Sequence, residues 1–115
     1  MFHKIIIVGR LGADPEQKYT VDGKAVTSFS VAAENRKDET LWFRVSAWEK
    51  MADVCGRYLK KGAKVLVEGA LKADAQGNPR TYERKDGTWG ASFEVVASSV
   101  KFLSGKDEPT DEVPF

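Results

Sequence analysis

Apolar residues recur at every second position through most of the chain, which is the spacing of β-strands that turn one face toward a core. This alternation predicts strands at residues 2–10, 25–33, 41–48, 63–72 and 91–102, separated by segments rich in glycine, proline and charge. A short extended piece near residues 17–19 precedes a turn at Asp22 and Gly23. Because residues 34–39 are too polar for anything but a loop, the second and third strands are predicted to form a hairpin.

One segment has the period of a helix instead. Apolar residues after Trp48 fall on one helical face: Met51, Val54, Cys55, Tyr58 and Leu59. Lys60 and Lys61 would then supply a basic last turn, with Gly62 as a left-handed cap. The pattern predicts one short α-helix between the third and fourth strands.

The predicted order is strand, strand, strand, helix, strand, strand. This is the order of the all-β, five-stranded OB barrel, which binds oligonucleotides and oligosaccharides on the face of its second and third strands. Residues 73–90 are rich in turn formers and predict an extended hairpin arm. Residues 105–115 have no periodicity and predict a disordered acidic tail. The expected organisation is an OB domain at residues 1–104 followed by this tail.

Composition excludes several functional classes. The chain has 115 residues, enough for one domain, and 42% of them are hydrophobic and 30% charged, as in soluble globular proteins. No apolar run is long enough to span a membrane or to form a signal peptide, so a cytoplasmic location is expected. A single Cys55 and a single His3 provide neither a disulfide framework nor a zinc site. With no phosphate loop or catalytic set either, we expect no cofactor, no metal, no catalytic residue and no enzymatic activity.

The net charge of +1 conceals an uneven distribution. Residues 105–115 contain four acidic residues and one lysine, whereas the body contains 17 basic and 13 acidic residues and therefore carries +4. A basic body suits a polyanionic partner, and an acidic end can compete for the same surface or contact another protein. The charges alone also fit an ordinary solvated surface.

The third predicted strand carries the most specific signal. Its inward positions are apolar, while its outward positions are Trp42, Arg44, Ser46 and Trp48. At about 3.3 Å per residue the two indoles lie roughly 20 Å apart, so they can stack separate bases of one extended nucleic-acid strand. The alternative is that the strand is covered on both faces and its tryptophans belong to the core. The strand alone does not decide between these interpretations.

Three separated blocks resemble bacterial single-stranded DNA-binding proteins: IIIVGRLGADPEQKY, LWFRVSAWEKMADVCGRYLKKGAKVLVEGAL and the terminal DEVPF. The resemblance implies an OB fold that assembles as a homotetramer and binds single-stranded DNA without sequence preference during replication, recombination and repair. It also implies a nucleoid-associated protein whose terminal peptide recruits replication and repair enzymes. The family is itself a standard example of sequence-independent binding to single strands.

Residue by residue, the resemblance assigns two sets of DNA contacts and one protein contact. Base-stacking aromatics are implied at Trp42, Trp48 and Tyr82, and backbone-contacting cations at Arg44, Lys50, Lys61 and Arg80. The partner-binding tip corresponds to Asp111, Glu112, Val113, Pro114 and Phe115.

Some features depart from the family pattern or leave alternatives open. The loop at residues 34–39 is short and lacks an aromatic that some relatives carry, and Trp89 has no clear counterpart. Judged without the resemblance, Tyr82 is as compatible with bracing the arm as with stacking a base. Two other functions also fit the sequence: an OB accessory protein of a primosome, phage or plasmid, and an oligomerisation module that tethers enzymes through its tail without binding nucleic acid.

Overall fold

A computed structural model describes residues 1–103 of the chain. The predictions for the tail and its tip, at residues 105–115, lie outside the described residues. The strands are β1 Ile5–Leu11, β2 Glu16–Tyr19, β3 Ala25–Glu34, β4 Thr40–Trp48, β5 Lys64–Lys72, β6 Arg80–Glu83 and β7 Trp89–Phe102, with one helix, α1 Lys50–Tyr58, between β4 and β5.

Five of these strands close into a barrel in the order β1, β5, β7, β4, β3 and back to β1. The β4–β7 pair is parallel, and the other pairs are antiparallel. Two residue pairs close the ring, Arg10 with Ala32 and Leu11 with Val31. The prediction of a five-stranded OB barrel with one short helix between its third and fourth strands is confirmed. Of the two additional strands, β2 pairs with β3, and β6 pairs with the first part of β7 to form the predicted arm.

The barrel interior contains the alternate apolar residues of the strands. Phe29, Val31, Val45, Val65, Val67 and Val95 are each at most 1% exposed. Helix α1 packs against β3 and β4 and buries Ala52 and Cys55. The buried hydroxyl of Thr27 on β3 donates a hydrogen bond of 2.6 Å to the carbonyl of Ala52, which ties the helix to the barrel.

Two glycines allow strands to approach each other closely. A Cβ atom at Gly9 would lie 2.2 Å from the carbonyl oxygen of Ala32, and a Cβ at Gly69 would lie 2.2 Å from that of Val96. Since backbone atoms cannot move aside as a flexible side chain can, any larger residue would separate these strands. Gly9 acts at the β1–β3 contact that closes the barrel.

The predicted C-terminal end of the helix is wrong. Helix α1 ends at Tyr58, and Leu59 already has an extended backbone, with φ −84° and ψ 151°. Leu59 is 6% exposed, so the chain leaves the helical path to bury this side chain in the core. Gly62 does have a positive φ of 88°, but it shapes the turn before β5, in which the Ala63 amide bonds the Lys60 carbonyl, and does not cap the helix.

Other differences are smaller. Strand β1 begins at Ile5 and not at Phe2, although His3 beyond its end accepts a hydrogen bond of 2.9 Å from the Leu71 amide. Two residues of the predicted apolar helix face, Val54 and Tyr58, are 46% and 63% exposed. Within residues 1–103 no helix has the length and apolar character that crossing a bilayer requires.

Candidate nucleic-acid interface

Strand β4 shows the alternation that its sequence predicts. Phe43, Val45 and Ala47 point inward and are at most 7% exposed, whereas Trp42 is 53% exposed and Trp48 is 37% exposed. The second face of this strand is therefore open within residues 1–103. Of the two interpretations of the tryptophans, the structure supports the exposed platform over the buried strand.

The neighbouring strand leaves the two indoles prominent. In the β3–β4 register, Trp42 lies beside Ala32, Arg44 beside Ser30, and Ser46 beside Ser28. Side chains directly opposite each other in an antiparallel pair share a face, so the outward face of β3 offers small groups from Trp42 to Ser46 and Val26 beside Trp48. The large side chains of β4 consequently form a ridge along this surface.

Arg44 is held in the middle of the ridge by two groups. Its Nη1 donates a long hydrogen bond of 3.4 Å to the Ser30 hydroxyl, and its Nη2 lies 3.7 Å from a carboxylate oxygen of Glu16 on β2. The ion pair is exposed and contributes at most about 1 kcal/mol to stability. A guanidinium held this weakly can turn to a phosphate or to the face of a base.

Gly12 supports the Trp42 indole, a role that its position in the sequence does not indicate. A Cβ atom at Gly12 would lie 2.5 Å from Cζ3 and 2.7 Å from Cη2 of the indole. The Gly12 amide also bonds the carbonyl of Ser30, which anchors this turn to the platform. The turn therefore lies close against the Cζ3–Cη2 edge of the indole, and a residue with a Cβ atom could keep that contact only if the ring moved.

The arm extends this surface beyond the Trp42 end of β4. Because β4 and β7 run parallel with Arg44 beside Glu94, the earlier residues of β7 lie toward Trp42 and past it. Arg80 on β6 places its Nε 3.9 Å from the Glu94 carboxylate. Tyr82, two residues later on β6, lies opposite Gly90 and is 46% exposed. Trp48, Arg44, Trp42 and Tyr82 thus follow one another along a single path.

Trp89 lies on the other face of the arm. It pairs with Glu83, one position along β6 from Tyr82, and adjacent positions of a strand point to opposite faces. The same face of β7 continues to Phe93, whose ring centroid lies 5.7 Å from that of Phe43. Trp89 is 65% exposed but is not part of the path that contains Tyr82.

The two predicted lysines border the path and do not join its aromatic residues. Lys50 is the exposed first residue of α1, two positions after Trp48. Lys61 lies in the exposed turn before β5, where its amide donates a 2.9 Å hydrogen bond to the carboxylate of Asp14. That bond links the lysine turn to the loop that begins with Gly12. Lys61 is thereby positioned near the Trp42 end, and Lys50 near the Trp48 end.

The described part of the chain contains no cluster of histidine, cysteine, aspartate or glutamate side chains that could hold a metal ion. Cys55 is 1% exposed, and burial raises the pKa of its thiol to about 11. A protonated, enclosed thiol is a poor nucleophile. Along the outward face of β4 the described residues offer aromatic faces and the Arg44 cation.

The chain is similar in sequence to a family of known proteins. Residues 2–103 match the model of the single-strand binding protein family. A protein of Neisseria meningitidis serogroup A named single-stranded DNA-binding protein is 36% identical over 98% of this chain. A Thermotoga maritima protein of the same name is 38% identical over 95% of the chain, which covers 79% of that protein.

The chain spans 66% of the length of the Neisseria protein. A third relative, single-stranded DNA-binding protein 1 of Chlorobaculum tepidum, is 34% identical over 91% of the chain and is covered to 67%. The matched region in this chain contains the whole barrel, the arm and every residue of the aromatic path. By fold, by the open face of β4 and by sequence, the chain belongs to the single-strand binding protein family.

Proposed function

We propose that this protein binds single-stranded DNA without sequence preference and protects it during replication, recombination and repair. The observation that carries this proposal is the open outward face of β4, where Arg44 lies between two exposed indoles. Indoles about 20 Å apart suit an extended strand, because one small ligand cannot touch both. The three relatives are named single-stranded DNA-binding proteins, and single-stranded DNA is an extended strand of this kind.

Binding combines two physical effects. Trp42, Trp48 and Tyr82 stack bases at about 1–3 kcal/mol each, and every base offers a π face, so this contribution depends little on sequence. Arg44, Lys50, Lys61 and Arg80 contact phosphates and release counterions, which makes the affinity fall as salt rises. Neither effect requires a cofactor or a catalytic group.

We also propose that the protein is a homotetramer. Ile6 is 56% exposed on the outward face of β1, where Val8 and Leu66 lie beside each other as a further apolar pair. An apolar patch of this kind on an isolated chain is typical of a protein–protein interface. We expect Ile6→Glu to shift sedimentation equilibrium toward smaller species, and an unchanged assembly would argue against this face as the interface.

The acidic tip, from Asp111 to Phe115, is proposed to recruit replication and repair enzymes at the nucleoid. An apolar end preceded by carboxylates suits a pocket with a basic rim. Deleting residues 111–115 should abolish co-purification of such enzymes while the affinity for DNA stays the same or rises. Equal recruitment by the truncated protein would remove this part of the proposal.

The DNA-binding proposal is tested by following intrinsic tryptophan fluorescence during titration with oligothymidine, with mixed-sequence single strands and with the matching RNA. At 50 mM and 200 mM salt the wild-type protein should be quenched strongly by single strands, with weaker binding at the higher salt. Length-dependent binding of mixed sequences would separate this function from an oligomerisation module that binds no nucleic acid. If the protein bound RNA as tightly as DNA, the proposal that DNA is its specific ligand would be wrong.

Two single substitutions locate the site. Trp42→Ala should weaken binding by about 1–3 kcal/mol without changing sequence preference. Trp89→Ala is the matched control, since it removes another exposed indole, 65% against 53% for Trp42, from the opposite face of the arm and should leave affinity unchanged. If Trp42→Ala bound like the wild type, or if both variants lost affinity equally, the platform on β4 would not be the binding site.

A further inference from the structure

Arg84, just beyond β6, is packed against the Tyr82 ring. Its guanidinium carbon lies 5.5 Å from the ring centroid, within the range of a cation–π contact. Its Nη1 donates a 2.8 Å hydrogen bond to the Trp89 carbonyl and a longer one, 3.4 Å, to the Thr88 hydroxyl. The side chain is therefore fixed at three points on the arm.

Gly90 makes this arrangement possible. A Cβ atom there would lie 2.5 Å from Nη2 of Arg84 and 2.8 Å from Cζ of Tyr82. The phenol ring and the guanidinium thus cross the bare backbone of Gly90, which lies opposite Tyr82 in the β6–β7 ladder. An aromatic ring that covers a strand glycine is held in one orientation by that contact.

Arg84 also differs electrostatically from the other arginines of the path. Arg44 has the Glu16 carboxylate at 3.7 Å, and Arg80 has that of Glu94 at 3.9 Å. Among residues 1–103 no carboxylate lies within ion-pair distance of Arg84, whose hydrogen-bond partners are a carbonyl and a hydroxyl. The Thr88 hydroxyl in turn donates a 2.7 Å hydrogen bond to Asp86, so that carboxylate lies one group away from Arg84 and forms no direct ion pair with it. Within residues 1–103 the charge of Arg84 is therefore paired less closely than those of Arg44 and Arg80.

We propose that Arg84 is a further DNA-binding residue. Together with Tyr82 and Gly90 it forms one preorganised contact site for a nucleotide, called the Arg84 site below. Arg84 orients the Tyr82 ring to stack a base and contacts the adjoining phosphate with its guanidinium, which has no direct ion pair to break within residues 1–103. This proposal rests on the proposed function, because it names a contact within the same binding path. A planar, pre-oriented guanidinium suits both tasks, whereas a lysine ammonium supplies only a mobile point charge.

The test measures the affinity of the full-length protein for oligothymidine over a range of salt concentrations. Arg84→Ala should lower affinity about tenfold at low salt and reduce the slope of log K against log salt by about 0.7, the value of one phosphate contact on a single strand. Arg84→Lys should keep the slope but bind more weakly than wild type at high salt, because the charge remains and the ring is no longer oriented.

Arg57→Ala is the matched control. Arg57 also lies over a tyrosine, 6.0 Å from the Tyr58 centroid, but it is in the last turn of helix α1 and is not one of the residues assigned to the path. Its loss should leave the salt slope unchanged. Gly90→Ala should push the Arg84 and Tyr82 side chains out of place, so its affinity for DNA should resemble that of Arg84→Ala. Circular dichroism melts of all variants establish that the barrel is intact.

If Arg84→Ala and Arg57→Ala gave equal slopes of log K against log salt, the proposed contact between Arg84 and a phosphate would be refuted. If Arg84→Lys bound DNA as tightly as the wild type at high salt, the proposal that Arg84 orients the Tyr82 ring would be refuted. If the wild type binds and Trp42→Ala weakens binding while both Arg84 variants behave like wild type, this inference fails and the proposed function stands. If the wild type does not bind single strands, both fail.

Discussion

Replacing Gly12 with alanine tests whether the platform depends on a preoriented indole. The new methyl group would start 2.5 and 2.7 Å from two carbon atoms of the Trp42 ring. Carbon atoms in favourable contact are about 3.5–4.0 Å apart, so the ring must move by about 1 Å. Trp42 is 53% exposed among residues 1–103, so its ring has room to swing outward.

The expected loss is in binding and not in folding. Gly12 has no positive φ, so alanine fits its backbone, and a change at a surface turn alters stability by about 0.5 kcal/mol or less. Stacking on one aromatic ring is worth about 1–3 kcal/mol, and a displaced ring keeps part of it. We therefore expect Gly12→Ala to weaken DNA binding by about 1 kcal/mol, or roughly fivefold.

A double-mutant cycle with Trp42→Ala provides the assay. Fluorescence titration with oligothymidine gives the affinity of the wild type, both single variants and the double variant. If Gly12 acts only through the indole, adding Gly12→Ala to Trp42→Ala should change nothing further. A fivefold loss that persists in the Trp42→Ala background would show that the turn itself contacts DNA. Unchanged affinity in the single variant would refute the need for a fixed ring.

The remaining predictions concern the barrel. Gly9→Ala should cost about 3 kcal/mol or more in urea unfolding, because its Cβ would lie 2.2 Å from the Ala32 carbonyl oxygen. Thr27→Val removes the 2.6 Å hydrogen bond to the Ala52 carbonyl and should lower stability by about 1 kcal/mol, seen as a Tm lower by about 4 °C. Burial raises the folded-state pKa of Cys55 to about 11, above the ordinary value of 9.0. The protonated thiol therefore contributes its full stabilisation of the folded protein below pH 9, and this contribution is lost as pH rises toward 11. The Tm advantage of the wild type over Cys55→Ala should accordingly shrink between pH 9 and pH 11, and a constant difference would contradict this.

The barrel was predictable because its local patterns agree with its tertiary structure. The two-residue period of β4 separates buried Val45 from exposed Trp42, and one break in that period marks α1. Turn formers after β5 predicted an arm, and β6 with the start of β7 forms it. Where a tertiary contact overrides local preference the prediction is wrong, as at Leu59, whose burial ends the helix early.

The supports of the binding path were harder to predict because they are contacts between distant segments. Gly12 looks like an ordinary turn residue, and nothing local indicates that an indole on another strand rests on it. Gly90 falls at the end of the turn-rich segment and outside the predicted strand at residues 91–102, so its sequence context does not indicate the close approach of another group either. The identity of that group, the stacked pair of Tyr82 and Arg84, depends on the register of β6 with β7.

The carboxylates along the path limit how far charge alone can account for binding. Glu16 and Glu94 neutralise Arg44 and Arg80 before any DNA arrives. A phosphate that binds either arginine displaces a carboxylate, and that exchange releases fewer counterions than neutralising a free cation does. The salt slope should consequently fall below the value expected from the number of arginines. Stacking must then supply a larger share of the affinity, which is why the orientation of each ring matters on this surface.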